Sequence, residues 1–149
     1  METKRKKAEE LFKQGYNCAQ AVLGAFAEET GLTEKQAMML ASSFGGGMGR
    51  LREVCGAVSA MFMVLGIKEG YYLPDDQEGK KEQYKKVQEF AEKFKKENKT
   101  ILCKELLENV KTTNGSEPEK RTEEYYHHRP CEKFVGDAAE IVENYLKGC

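Results

Sequence analysis

The chain's chemistry lies in its thiols. Cys18, Cys55, Cys103, Cys131 and Cys149 are spread along 149 residues, with no two close in sequence. No C-x-x-C occurs, so neither a thioredoxin-type redox motif nor a zinc-ribbon knuckle is written locally. A site made from these residues has to be assembled by the fold. Taken singly, each cysteine reads as a small buried hydrophobe. Their neighbours say more. Cys18 follows Asn17, a good helix cap, and Cys55 follows the glycine run 45–49 at the start of an apolar stretch. Cys103 precedes Lys104-Glu105-Leu106-Leu107, and Cys131 follows Pro130, which suits a first helical position. All four fall at or near predicted helix N-termini. Unpaired N–H groups and the helix dipole favour negative charge there and lower a thiol's pKa. Cys149 differs. It is the last residue, after the helix-ending Gly148, and is expected to be exposed and dispensable.

Thiolates serve three kinds of protein. In the first, Cys18, Cys55, Cys103 and Cys131 hold one metal site, either an iron–sulfur cluster (two-iron favoured) or zinc, with every sulfur about 2.3 Å from the metal. The protein would then be an electron carrier, a redox sensor or an accessory protein rather than a turnover enzyme. In the second, two cysteines cycle in a metal-free thiol–disulfide oxidoreductase, which needs one pair with Cα atoms roughly 4.4–6.8 Å apart. In the third, the chain is a helical interaction module whose cysteines are inert and scattered.

Other residues could support such a site. Gly45, Gly46 and Gly47 let the backbone approach a cofactor closely, donating N–H groups to a sulfur or an anion. The Walker lysine and hydroxyl are missing after this run, and no parallel sheet precedes it, so nucleotide binding is not indicated. His127 and His128, three residues before Cys131, could replace a cysteine ligand, although a surface pair is the plainer reading. Arg50, Arg52 and Glu53 could tune a thiolate or simply be solvated. No paired acid/base carboxylates and no Ser/His/Asp set can be picked out.

The elements that must position these residues read as helices throughout. Apolar spacing and caps predict helices over 3–14, 18–29, 33–43, 53–67, 75–99, 103–109 and 130–147. The stretch 53–67 is apolar on every side and too short for a bilayer, which makes it a buried central helix. Residues 112–122, with Asn114-Gly115-Ser116 and Pro118, read as a mobile loop. The expectation is one all-α domain over 1–149, a bundle of about five to seven helices. With 33% charged residues, 40% hydrophobic residues and a net charge of −1, nothing points to nucleic acid or to membrane insertion as a partner. The charged N-terminus is no signal peptide, so the expected compartment is the cytoplasm, where thiols stay reduced. A redox partner is expected but not identifiable, and a homodimer is compatible with the chain.

Several blocks, in this order, resemble the family named for its C_GCAxxG_C_C cysteine pattern. They are Gly15-Tyr16-Asn17-Cys18-Ala19-Gln20-Ala21, Gly45 to Arg50 leading into Val54-Cys55-Gly56-Ala57, Cys103-Lys104-Glu105-Leu106-Leu107, and Arg129-Pro130-Cys131 with Val135 and Ala138 to Val142. The resemblance covers nearly the whole chain. One departure is Ala60, where the family usually has glycine. Members are called redox-active because of their four cysteines, and a related domain in split-Soret cytochromes is associated with an iron–sulfur centre. The resemblance thus implies a redox protein with a cysteine-ligated cluster.

Overall fold

A computed structural model describes residues 2–148; Cys149, expected to be exposed and dispensable, lies outside them. Among the described residues there are nine α-helices. They are α1 Lys4–Lys13, α2 Cys18–Ala25, α3 Ala27–Thr30, α4 Glu34–Ala41, α5 Gly56–Glu69, α6 Gln77–Asn98, α7 Cys103–Leu106, α8 Glu123–His128 and α9 Cys131–Leu146. The protein is all-α, as expected. Six of these helices have eight residues or more, and α3, α7 and α8 are short additions of four to six residues.

Local sequence explains most of the helix starts. The Thr3 hydroxyl accepts from the N–H of Lys6. Asn17 with Gln20, and Thr33 with Gln36, form reciprocal capping boxes at α2 and α4, so two otherwise orphaned donors are satisfied at each start. Thr122 caps α8 by accepting from Tyr125. That helix was not expected, although Thr122-Glu123-Glu124 is an ordinary helix-start signal.

α5 lies at the centre. Gly56 to Met61, Val64 and Leu65 are buried, and the helix packs against α2, α6 and α9. Phe12, Leu23, Phe26, Phe90 and Phe94 fill the space around it. Ala60, the departure from the family pattern, is wholly buried in this core.

Two boundaries differ from the sequence expectation. The central helix starts at Gly56 rather than Glu53, because residues 52–55 leave the helical path, Arg52 in the left-handed region, and pair with 101–104. Cys55 N–H donates to Ile101 C=O (2.8 Å) and Cys103 N–H to Glu53 C=O (2.7 Å), around an isolated antiparallel bridge between Val54 and Leu102. The second helix ends at Ala25 because Phe26 leaves the helical region (φ −109°, ψ 19°).

Helices α1 and α9 are joined by a buried ion cluster. Asp137, 7% exposed, accepts from Arg5 (2.5 Å), Lys133 (2.8 Å) and Asn98 (3.1 Å). Burial pushes its carboxyl up, but these partners outweigh burial and hold it below the usual carboxylate value. Asp137→Ala is expected to cost about 2 kcal/mol, since Arg5 and Lys133 can still reach water. Because the folded-state pKa is lowered, the contribution is complete above about pH 4 and is lost as pH falls through the lowered value. Thermal melts of both proteins from pH 7 downward check this, and a gap that stayed constant into strong acid would contradict it.

Candidate functional site

Cys18, Cys103 and Cys131 are the first residues of α2, α7 and α9, and Cys55 is the N-cap of α5. The fold brings these four starts to one pocket of about 290 Å³, and all four cysteines line it. They are free thiols; Cys55 and Cys103 are buried, and Cys18 and Cys131 are partly open.

Two glycines make the close approach possible. A Cβ on Gly56 would lie 2.6 Å from the Cys18 Sγ and 2.6 Å from the Phe44 carbonyl oxygen. A Cβ on Gly47 would lie 2.6 Å from the Cys103 Cβ, and Gly47 also has φ +71°. The sulfur of Cys18 therefore occupies space that any other residue at position 56 would fill. Of the three glycines singled out in the sequence, Gly45 and Gly46 line the pocket while Gly47 packs behind it.

The sulfur of Cys18 faces a ring of donors. The Cys55 thiol and the backbone N–H groups of Gly46, Gly56 and Ala19 are the groups beside it that favour its charged form. Gly56 and Ala19 lie in the first turns of α5 and α2, so two helix N-termini meet at one sulfur. The Cys55 hydrogen bond is the largest influence. Together these donors outweigh burial and lower the Cys18 thiol to about 6. Cys55 shifts the opposite way, well above its ordinary value, because it gives its proton to that hydrogen bond, is buried, and lies beside the Cys18 charge. Burial also raises Cys103, against the pull of Arg52, whose guanidinium lies 3.7 Å from its sulfur. Burial and then the Cys18 charge push Cys131 up to about 12, against the pull of Arg129. The one thiol whose pKa is lowered thus stands among three whose pKa values are raised.

Arginines dominate the charged lining of the pocket. Its charged lining residues are Arg50, Arg52, Arg121 and Arg129, with Glu119 as the sole carboxylate. Arg121 and Arg129 each stack on Tyr125, with both guanidinium carbons 4.9 Å from the ring centroid. Arg121 also donates to the carbonyls of Phe12 and Tyr16 (3.1 and 3.0 Å), which anchors the end of α1. Arg50 fastens the 112–122 segment, which has no regular structure, through Thr113, Gly115 and Glu117. Arg121, Arg129 and Glu119 were missed in the sequence because nothing local marks them. Glu119 meets Arg50 and Arg52 from nearly seventy residues earlier in the chain, and Arg121 reaches Phe12 and Tyr16 from more than a hundred residues away.

Not every candidate converges. His127 and His128 are exposed on α8 and do not line the cysteine pocket, and Glu53 is exposed. Among the described residues, no three His, Cys, Asp or Glu side chains are placed so that they could hold a metal ion. No described helix is long and apolar enough to cross a membrane.

Comparison with protein families gives a match over residues 16–145 to the family described as "Putative redox-active protein (C_GCAxxG_C_C)". No curated protein and no solved structure matches the chain.

Proposed function

Since the chain belongs to the C_GCAxxG_C_C family, whose description is that of a redox-active protein, we propose that it is a thiol–disulfide redox protein with Cys18 as attacking thiolate and Cys55 as resolving thiol. One observation carries this reading. The Cys18 sulfur is seated against Gly56, the residue after Cys55, so close that a Cβ there would lie 2.6 Å from it, and both cysteines line one pocket. Such a pair has the two properties that exchange requires, a stabilised thiolate and a second sulfur beside it.

The steps balance without another reactant. The Cys18 thiolate attacks one sulfur of a substrate disulfide, the substrate S–S bond breaks, and the departing thiolate takes up a proton. Cys18 is then neutral within a mixed disulfide. The charge that held the Cys55 proton in place has gone, so Cys55 ionises more readily and attacks the Cys18 sulfur. A Cys18–Cys55 disulfide forms and the second substrate thiol leaves. Two protein thiols are oxidised and one disulfide is reduced to two thiols. A compartment that keeps thiols reduced, such as the cytoplasm, would regenerate the pair.

Peptide mapping of protein oxidised by a stoichiometric disulfide tests the assignment. The expected product is a Cys18–Cys55 link, with Cys103 and Cys131 still alkylatable after unfolding. A first link between Cys103 and Cys131, or no link at all, would overturn it.

The gathering of all four cysteines in one pocket favours a second reading, a four-thiolate iron–sulfur or zinc centre. Four thiols are suitable donors for such a group, which would supply one-electron transfer as a cluster or structural stabilisation as zinc. Their placement does not fit it, since no three-ligand group is preformed. Metal analysis of anaerobically purified protein separates the readings: stoichiometric iron or zinc would favour the second, and metal-free protein with a thiol titrating near pH 6 favours the first.

A further inference from the structure

Arg50, Arg52 and Arg129 converge on the carboxylate of Glu119. Arg50 and Arg52 lie 3.7 Å from it, and Arg129 hydrogen-bonds it directly. The three arginine side chains are only 5–16% exposed, and Glu119 is 21% exposed. Three guanidinium groups thus face one acid, with Arg121 on the same pocket lining. Even with a charge on Cys18 counted, positive charge is in excess on the lining of this pocket.

The backbone supports this arrangement at a cost. Arg50 (φ +66°) and Arg52 (φ +62°) are both left-handed, a conformation that costs a non-glycine residue about 1 kcal/mol or more. Glycine at either position would relieve that cost but would remove the guanidinium. Two of the four described non-glycine residues with positive φ are therefore arginines of the pocket lining.

We propose that these three arginines form an anion-binding site in the lining of the cysteine pocket, occupied by Glu119 in the free chain and taken over by a small carboxylate-bearing disulfide, the substrate. This rests on the dithiol reading above. The group already seated is a carboxylate, so the site has the hydrogen-bonding geometry for that class. A volume of about 290 Å³ suits a small molecule and is too confined for a folded partner. Arg50 holds the segment by main-chain carbonyls, so the Glu119 side chain can turn out while the backbone stays anchored. The substrate carboxylate then pairs with the arginines and its disulfide lies toward Cys18, on the lining of the same pocket.

Three symmetrical disulfides of matched size provide the test: dianionic 3,3′-dithiodipropionate, neutral 2-hydroxyethyl disulfide and dicationic cystamine. The rate at which each oxidises the reduced full-length protein is divided by its rate with a free thiol at the same ionic strength. The anionic disulfide is expected to be favoured over cystamine by about tenfold or more. Arg52→Gln should reduce that preference several-fold. Glu119→Gln should raise the rate with the anionic disulfide alone, whereas mere loosening of the segment would raise all three. Equal corrected rates would overturn the proposal. If none of the three oxidises the protein, the redox reading fails instead. Calorimetric binding of dithiodipropionate to Cys18→Ser protein then decides the anion site on its own: binding that tightens on adding Glu119→Gln sustains it, and no binding overturns it.

Discussion

At pH 7 the reduced native protein should be alkylated by iodoacetamide at Cys18 about a hundredfold or more faster than at Cys131. With its thiol lowered to about 6, Cys18 is almost wholly thiolate at that pH. Cys131, pushed up to about 12, is thiolate in about one molecule in 10⁵. A less basic thiolate is a weaker nucleophile, and a Brønsted slope of about 0.4–0.5 returns between two and three of those five decades. What remains is the expected ratio. The rate at Cys18 should rise with pH through a midpoint near 6, instead of the ordinary value of about 8.5. Below that midpoint the thiol is protonated and slow. Cys18→Ser should remove the fast phase entirely, and Cys55→Ser should shift the midpoint upward, because the largest stabilising hydrogen bond comes from Cys55. Peptide mapping at short reaction times measures all of this. Uniform slow labelling with a midpoint above 8 would show that the donors around the sulfur do not hold a thiolate.

Two alanine substitutions on one helix should have opposite effects. Gly56→Ala in α5 places a methyl group 2.6 Å from the Cys18 sulfur, 2.6 Å from the Phe44 carbonyl oxygen and 3.1 Å from the Ala19 nitrogen. Two of those neighbours are backbone atoms, so rotating one side chain cannot relieve the contact. A loss of about 2–3 kcal/mol is expected from such overpacking. The Cys18 midpoint should also climb toward the ordinary thiol value, since the N–H groups of Gly56 and Ala19 are displaced from its sulfur. Gly66→Ala, ten residues along the same helix, meets nothing within 4 Å at an exposed position. It should stabilise by about 0.5–1 kcal/mol through helix propensity and a less flexible unfolded chain. Chemical denaturation of both variants beside the parent tests the pair. If the two lost stability equally, the sulfur would not be seated on Gly56.

The two glycines show how little of the site is written locally. In sequence, both are glycines in or beside an apolar helix. Only the approach of α2 makes position 56 intolerant of a side chain. Cys55 and Cys103 are a similar case. Each reads as a cysteine near a helix start, but the exchange of hydrogen bonds between 52–55 and 101–104 shortens α5 and sets both cysteines at the pocket. That pairing spans nearly fifty residues, and no periodicity in either segment announces it.

What the sequence determined by itself is what short-range chemistry controls. Side-chain caps at Thr3, Asn17 and Thr33 compete for N–H groups within three residues, so the starts of α1, α2 and α4 could be read directly. Apolar spacing set the helical class, and the burial of α5 was legible because that segment carries few polar residues on any side. The position of four cysteines at helix starts was legible for the same reason. Tertiary structure alone decided that one thiol among the four is acidic, because the donors at its sulfur come from residues 19, 46, 55 and 56 together. It alone also gathered Arg50, Arg52 and Arg129 around Glu119. Isolated arginines and a glutamate in a charge-rich chain read as solvated surface. Their meaning depends on the desolvation and proximity that folding creates, and those are properties of the assembled pocket rather than of any segment.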